Sequence, residues 1–224
     1  ASRLITLNAH DALFLLKNCF GLPKLLYTLR CAASFKSSVL QEYDGVIKHT
    51  LKVILNVDLT DDVWRQATLS VSSGGLRVRL ATDLALPAFL SSVNDAADLT
   101  MKLLPSRLHD VSGDRDPVCV AACLEWQTRS ASIVPDPAKS GIQTAWDLPV
   151  VSRKREELLS AAQTQVGRAR LIAAAAPHSG VFLHSVPCSR QSEPDWMTCR
   201  YVSPSVCVSV PPFAHLIRVS VVSR

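Results

Sequence analysis

Apolar residues recur along the first half of the chain at spacings of three and four, the pattern of helices that bury one face. Leu13, Leu16 and Phe20 set a first short helix within the stretch from His10 to Arg30, with His10-Asp11 as a capping pair at its start. Gly21 and Pro23 interrupt it before Leu26, Leu29 and Arg30 resume, and Pro23 suits a first helical turn, where no N–H is required. Val39, Tyr43, Ile47, Leu51 and Ile54 predict a helix from about Val39 to Asn56 with Lys48 and Lys52 on its wetter face. Thr60 is placed to cap a short helix whose first turn holds Asp61 and Asp62 and which Trp64 anchors. Ser72-Ser73-Gly74-Gly75 is a turn signal. It leads into Leu76 to Leu80, where apolar and basic residues alternate as in a short strand or extended segment.

Helical spacing returns from Asp83 to Leu104, with Pro87 in an early turn, and again from Val118 to Ser130 around Trp126. A polar linker at Asp110 to Pro117 separates the two, and a loop holding Pro135, Pro137 and Gly141 follows. Ser152 to Ala176 reads as one long helix, opened by Arg153-Lys154-Arg155 and striped by Leu158, Ala162, Val166, Ala169 and Ala173. Pro177 and Gly180 stop it. From Pro187 the chain turns rich in Val, Ser and Pro and loses its periodicity. No internal repeat is visible.

Composition sharpens this picture. Hydrophobic residues make up 48% of the 224 residues and aromatics only 6%, so the core must be built from Leu, Val and Ala, which favours helices over a β-sandwich. The net charge of +5 permits a phosphate-bearing partner without demanding one. Seven scattered cysteines and no signal-peptide pattern predict reduced thiols in an intracellular setting, with nucleus and cytoplasm unresolved. No uncharged apolar run reaches the roughly 20 residues of a bilayer span, so no membrane partner is expected. The start at Ala1, inside a structured pattern, predicts a fragment or processed product.

The chemistry-bearing patterns are sparse. Asp61-Asp62 is the only adjacent pair of aspartates. It superficially resembles the Tyr-x-Asp-Asp turn of polymerases, but nothing supplies a third carboxylate on a preceding strand, and a helix N-terminus accounts for it. No nucleophile elbow and no phosphate-cradling glycine loop is present. His178, His184, Cys188 and Cys199 are zinc-capable types without the spacing of a closed site, and Cys119 and Cys123 read as buried thiols on a helix. No catalytic residue, metal site or cofactor is therefore expected. Lys17, Lys24, Arg30, Lys36, Lys48 and Lys52 recur along the first helices, with Arg77 and Arg79 after the glycines. On charge alone this is a solvated face.

Three ordered blocks add a resemblance. The run from His10 to Phe20, His-Asp-Ala-Leu-Phe-Leu-Leu-Lys-Asn-Cys-Phe, continues into Leu-Pro-Lys-Leu-Leu-Tyr-Thr-Leu-Arg from Leu22 to Arg30. It resembles the helical segment that follows the palm in reverse transcriptases of animal non-LTR retrotransposons. Tyr43-Asp44, the run Trp64 to Leu69 and Ser73-Gly74-Gly75-Leu76 resemble that family's Gly-Gly-Leu-Gly-Ile element and its approach, with Ala81 to Pro87 after it. Val151 to Arg155 and Ala176 to Gly180 resemble its connector. The likeness covers about Arg3 to Cys188. Two departures stand out. Arg77 occupies the place of the family's second-block glycine, where a need for positive φ would strain it. The tail from Arg200 to Val206 fits the family only if its codons are read one nucleotide later, as Ala-Met-Ser-Leu-Arg-Leu, which implies a frameshifted copy.

The expectation is a mainly α chain: a thumb-like helical bundle over residues 1–109, a helical connector over 110–186 and an irregular, disordered or frameshifted tail over 187–224. The resemblance implies the part of an RNA-directed DNA polymerase that meets the template–primer, without the catalytic palm. It makes Lys17, Lys24, Arg30, Lys48 and Lys52 candidates for contact with the backbone of an RNA–DNA hybrid or duplex, and Gly74 and Gly75 a structural turn. The competing expectation is a helical orphan or protein-interaction module, prone to non-specific self-association through exposed apolar helix faces.

Overall fold

The structure is a computed structural model, and it describes residues 3–4, 6–103, 105, 116–180 and 183. The expected domain boundaries at 109/110 and 186/187, and the tail beyond, lie outside the described residues, as does most of the linker from Asp110. The described residues are mainly helical, and none of them forms a β-strand. The helices are α1 (Ala9–Leu15), α2 (Leu26–Cys31), α3 (Ser38–Leu55), α4 (Asp61–Thr68), α5 (Ala81–Leu103), α6 (Pro117–Ser130), α7 (Gln143–Ala161) and α8 (Gln165–Ala174). Among the described residues no helix is long and apolar enough to cross a membrane.

The chain divides into two compact units, one built from residues 1–21, 45–79 and 155–224, the other from 22–44 and 80–154. Helices α3 and α7 each begin in the second unit and end in the first. The second unit is organised around α5. Residues Leu84 to Ser91 of that helix are buried without a break, so it is enclosed on every side over two turns. Helices α2 and α6 pack against it. Phe35 meets Phe89 at 6.3 Å between ring centroids, and Trp126 meets Trp146 edge to face at 4.9 Å. Trp126 Nε1 donates to the Trp146 carbonyl at 2.8 Å, so the polar edge of a fully buried indole is satisfied.

The start of α5 is held from outside its own sequence. Asp44, buried on α3, accepts from the backbone N–H groups of Ala81 at 2.7 Å and Thr82 at 3.1 Å and from the Thr82 hydroxyl at 2.7 Å. A carboxylate at this end satisfies donors that a helix cannot pair internally and favours its dipole. Burial pushes the Asp44 carboxyl above its ordinary 3.8, and the three donors pull it only part of the way back. Asp44→Asn keeps one acceptor but sets an amide N–H₂ against the remaining donors. It should cost about 2 kcal/mol in urea denaturation. Because the folded-state value is the higher one, the native chain holds this proton longer than the unfolded chain. The stability contributed by Asp44 therefore falls as pH rises from 3.8 through the raised value. The gap between wild type and Asp44→Asn should narrow across that window; a gap that widens would contradict the burial.

The first unit buries Leu13, Leu16, Ile47, Leu51, Ile54, Leu69, Leu76, Val78 and Leu158. Asn8 caps α1 by accepting from the Asp11 N–H at 2.9 Å and donates to the Asp11 carboxylate. The cap is thus Asn8 with Asp11, and His10 lies inside the helix. A π-turn at Leu16–Phe20 and a 3-10 turn at Leu22–Lys24 carry the chain past Gly21 and Pro23. Thr60 caps α4 as expected, its Oγ1 accepting from the Val63 N–H at 3.4 Å.

Several expectations are corrected. The stripe of α3 runs through Leu40, Asp44, Ile47, Leu51 and Ile54, while Val39 is 63% exposed. Trp64 is only half-buried, and Gln66, Ala67, Thr68 and Leu69 hold α4 instead. Residues 76–80 form no strand, and Arg77 among them turns to a left-handed φ of 61°. The long helix expected over Ser152 to Ala176 starts at Gln143, includes Pro149, and breaks after Ala161. Thr164 caps a new helix there, accepting from the Gly167 N–H at 3.0 Å. Arg153-Lys154-Arg155 consequently lies inside α7 rather than opening it. Val166, Ala169 and Ala173 are exposed, and Leu158 and Ala174 are the buried positions.

Candidate nucleic-acid interface

The five candidate cations are divided between the units. Lys17, Lys48 and Lys52 belong to the first, Lys24 and Arg30 to the second. Lys48 and Lys52 project from one face of α3, but each meets a carboxylate. Lys48 Nζ lies 2.9 Å from Asp61 Oδ1, and Lys52 Nζ lies 2.5 Å from Asp58 Oδ1. The lysine hydrogen bonds, reinforced by the lysine charges, hold both aspartates below the usual carboxylate range. Asp61 is thereby committed to a surface ion pair at a helix start, and Asp62 shares that first turn. Such exposed pairs add little to stability, and they offset part of the positive charge a phosphate would otherwise meet.

The chain reversal that brings these partners together is a Schellman cap. Asn56 adopts a left-handed φ of 51°, its N–H donates to the Val53 carbonyl, and the Val57 N–H donates to the Lys52 carbonyl. In the second unit, Arg30 donates to Gln143 Oε1 at 2.9 Å and Lys24 is exposed on its 3-10 turn. Lys154 pairs with Asp83, and Arg129 bridges Glu125 and the Thr82 carbonyl, so these cations brace the start of α5.

The turn after α4 is built as its glycines suggest. Gly74 has φ +84°, and the buried Gln66 side chain donates to its carbonyl at 3.0 Å. A Cβ on Gly75 would lie 2.3 Å from the Leu69 carbonyl oxygen and 2.5 Å from that of Gln66. The next residue but one, Arg77, has φ +61°, in the region that glycine occupies freely and arginine enters at a cost of about 1–2 kcal/mol. Its side chain is exposed. The Arg77 N–H is fixed to the Leu69 carbonyl at 2.9 Å, which holds the residue there.

Lys17 is drawn inward. Its Nζ donates to the Leu183 carbonyl at 3.0 Å, and burial, with the Arg77 charge next, lowers its pKa from the usual lysine value. Arg77 stands among the basic residues of the sequence but not among the five candidates. Its signal was the break in the Gly-Gly-Leu-Gly pattern. Among the described residues no group of three or more metal-capable side chains converges, and cysteines 19, 31, 119 and 123 are in no disulfide.

Comparison with known protein families, with curated proteins and with solved structures gave no significant match.

Proposed function

We propose that this chain is a non-catalytic piece of a non-LTR retrotransposon reverse transcriptase, the thumb and connector that meet the template–primer backbone in the whole enzyme. The observation that carries this reading is the order of the three sequence blocks, from His10, from Tyr43 and from Val151. A mainly helical chain with a tight Gly74-Gly75 turn suits it. Contact would be with phosphates, hence independent of base sequence and steeply weakened by salt. The test is fluorescence anisotropy of a labelled RNA–DNA hybrid at low and rising salt. Binding should appear at low salt, and alanine at Arg30 should make the salt slope shallower by about one. Alanine at Lys48 or Lys52 should do less, because Asp61 and Asp58 already neutralise them. No binding at low salt would sink the reading, as would any primer extension by the isolated chain.

The second reading, a helical interaction module, is favoured by one observation. Leu99 and Leu103 on α5 and Leu124 on α6 are each more than half exposed. Gel filtration with and without the hybrid separates the readings: assembly that grows with concentration and ignores the hybrid supports the module.

A further inference from the structure

Within the first unit the positive charge is not spread evenly. Residues 12–21, 63–79 and 158–183 contribute Lys17, Arg65, Arg77, Arg79, Arg168 and Arg170 and not one carboxylate. The acidic residues of this unit that meet its lysines, Asp58 and Asp61, are spent on Lys52 and Lys48. The three acid-free segments also come together. A Cβ on Gly180 would lie 2.2 Å from Val71 Cγ1, and one on Gly74 would lie 3.1 Å from Ala174. The end of α8 and the turn after it thus lie directly on the turn that leads to Arg77. Leu183, three residues past Gly180, receives Lys17.

We infer that Lys17 and Arg77 form a two-cation phosphate site in this unit. In the function proposed above, on which this assignment of a duplex rests, the site takes one backbone phosphate. Two like charges near each other repel, and half-burying one of them adds to that cost. The lowered pKa of Lys17 records both effects, burial and Arg77. Among the described residues neither side chain has an ion pair to relieve them. A phosphate relieves both at once. One of the three ammonium donors of Lys17 goes to Leu183, which fixes where the head group sits and leaves two for an anion. Arg77 offers a planar fork that suits two phosphate oxygens. Its left-handed backbone, strained for any residue but glycine, is held by the bond of its N–H to the Leu69 carbonyl.

The test compares wild type with Lys17→Gln and Arg77→Gly, both in the full chain. Arg77→Gly is the safer variant, since glycine accepts φ +61° and folding is retained. Binding of an RNA–DNA hybrid is followed over a salt series. Each variant should lose about one from the slope of log K against log salt, and Lys48→Gln should lose nothing comparable. If the hybrid binds and both variants keep the wild-type slope, the site is overturned while the proposed function stands. If the hybrid does not bind at all, the proposed function falls and inorganic phosphate decides. A rise in the unfolding midpoint with phosphate over chloride at equal ionic strength, seen in wild type and absent in both variants, upholds a phosphate site. No such rise overturns it.

Discussion

Trp126→Ala is expected to destabilise the protein by about 4 kcal/mol. Three losses add together at this position. The indole is fully buried in the cluster that also holds Leu86, Phe89, Trp146 and Val150, so its removal opens a cavity rather than exposing a surface. The edge-to-face contact with Trp146 at 4.9 Å is worth about 0.5–1.5 kcal/mol beyond area alone. The Nε1 bond to the Trp146 carbonyl also disappears and leaves an acceptor in an apolar setting. Trp126→Phe should separate these losses. It refills most of the volume and keeps an aromatic neighbour, so about half the loss should remain. Urea denaturation followed by far-UV circular dichroism reads both variants without depending on the tryptophan signal. A loss for Trp126→Ala below about 1 kcal/mol would mean that the site relaxes freely and that α6 does not close this core.

The fold was legible where local chemistry decided it. Thr60, the two aspartates after it and the Ser-Ser-Gly-Gly turn gave a cap, a helix start and a reversal that the structure places at those residues. The mainly α class followed from apolar spacing and few aromatics. The errors came where a tertiary partner overrode the local rule. Starting the stripe of α3 at the exposed Val39 kept Asp44 out of the interior, although Tyr43 does pack against the core. The structure buries Asp44 because the start of α5 lies opposite it, and nothing near residue 44 announces a helix end some forty residues on. The last helix fails for a similar reason. Alanine-rich spacing from 158 to 176 fits one continuous helix, yet Thr164 can accept from the Gly167 N–H, and that cap starts a new helix. Pro149 looks like a breaker, but α7 runs through it, with Trp146 and Val150 buried on either side.

The candidate site shows the same division. Lys48 and Lys52, an i,i+4 pair on a wet face, look from the sequence like a strip for phosphates. Their neutralisation depends on Asn56 reversing the chain so that Asp58 and Asp61 return alongside, and a Schellman cap at asparagine is a weak sequence signal. Lys17 and Arg77, 60 residues apart, show nothing in common along the chain. Only the packing of Gly180 on Val71 and the reach of Lys17 to Leu183 bring their surroundings together. Charge that matters for recognition is the charge left over after folding has made its own pairs, and that remainder is a property of tertiary structure.

Gly75→Ala tests the element on which that remainder depends, and it is expected to cost about 3 kcal/mol or more. The methyl group would enter a space already held by backbone, at 2.3 Å from the Leu69 carbonyl oxygen and 2.5 Å from that of Gln66. No side-chain rotation relieves either contact. Relief requires the end of α4 to part from the turn, and the bonds from Leu76 and Val78 to the Ala67 carbonyl and from Arg77 to the Leu69 carbonyl lie across that seam. The expected result is therefore a lower unfolding midpoint and, on the proposed function, weaker hybrid binding, because Arg77 loses the backbone bond that sets its position. Gly45→Ala is the control. Its added methyl meets nothing within 4 Å, and in the middle of α3 alanine should stabilise by up to about 1 kcal/mol. If Gly75→Ala melts like the control, the carbonyl cage around Gly75 is wrong. If it melts early yet binds the hybrid as the wild type does under conditions where it is still folded, the turn shapes stability alone and Arg77 does not need it to hold a phosphate.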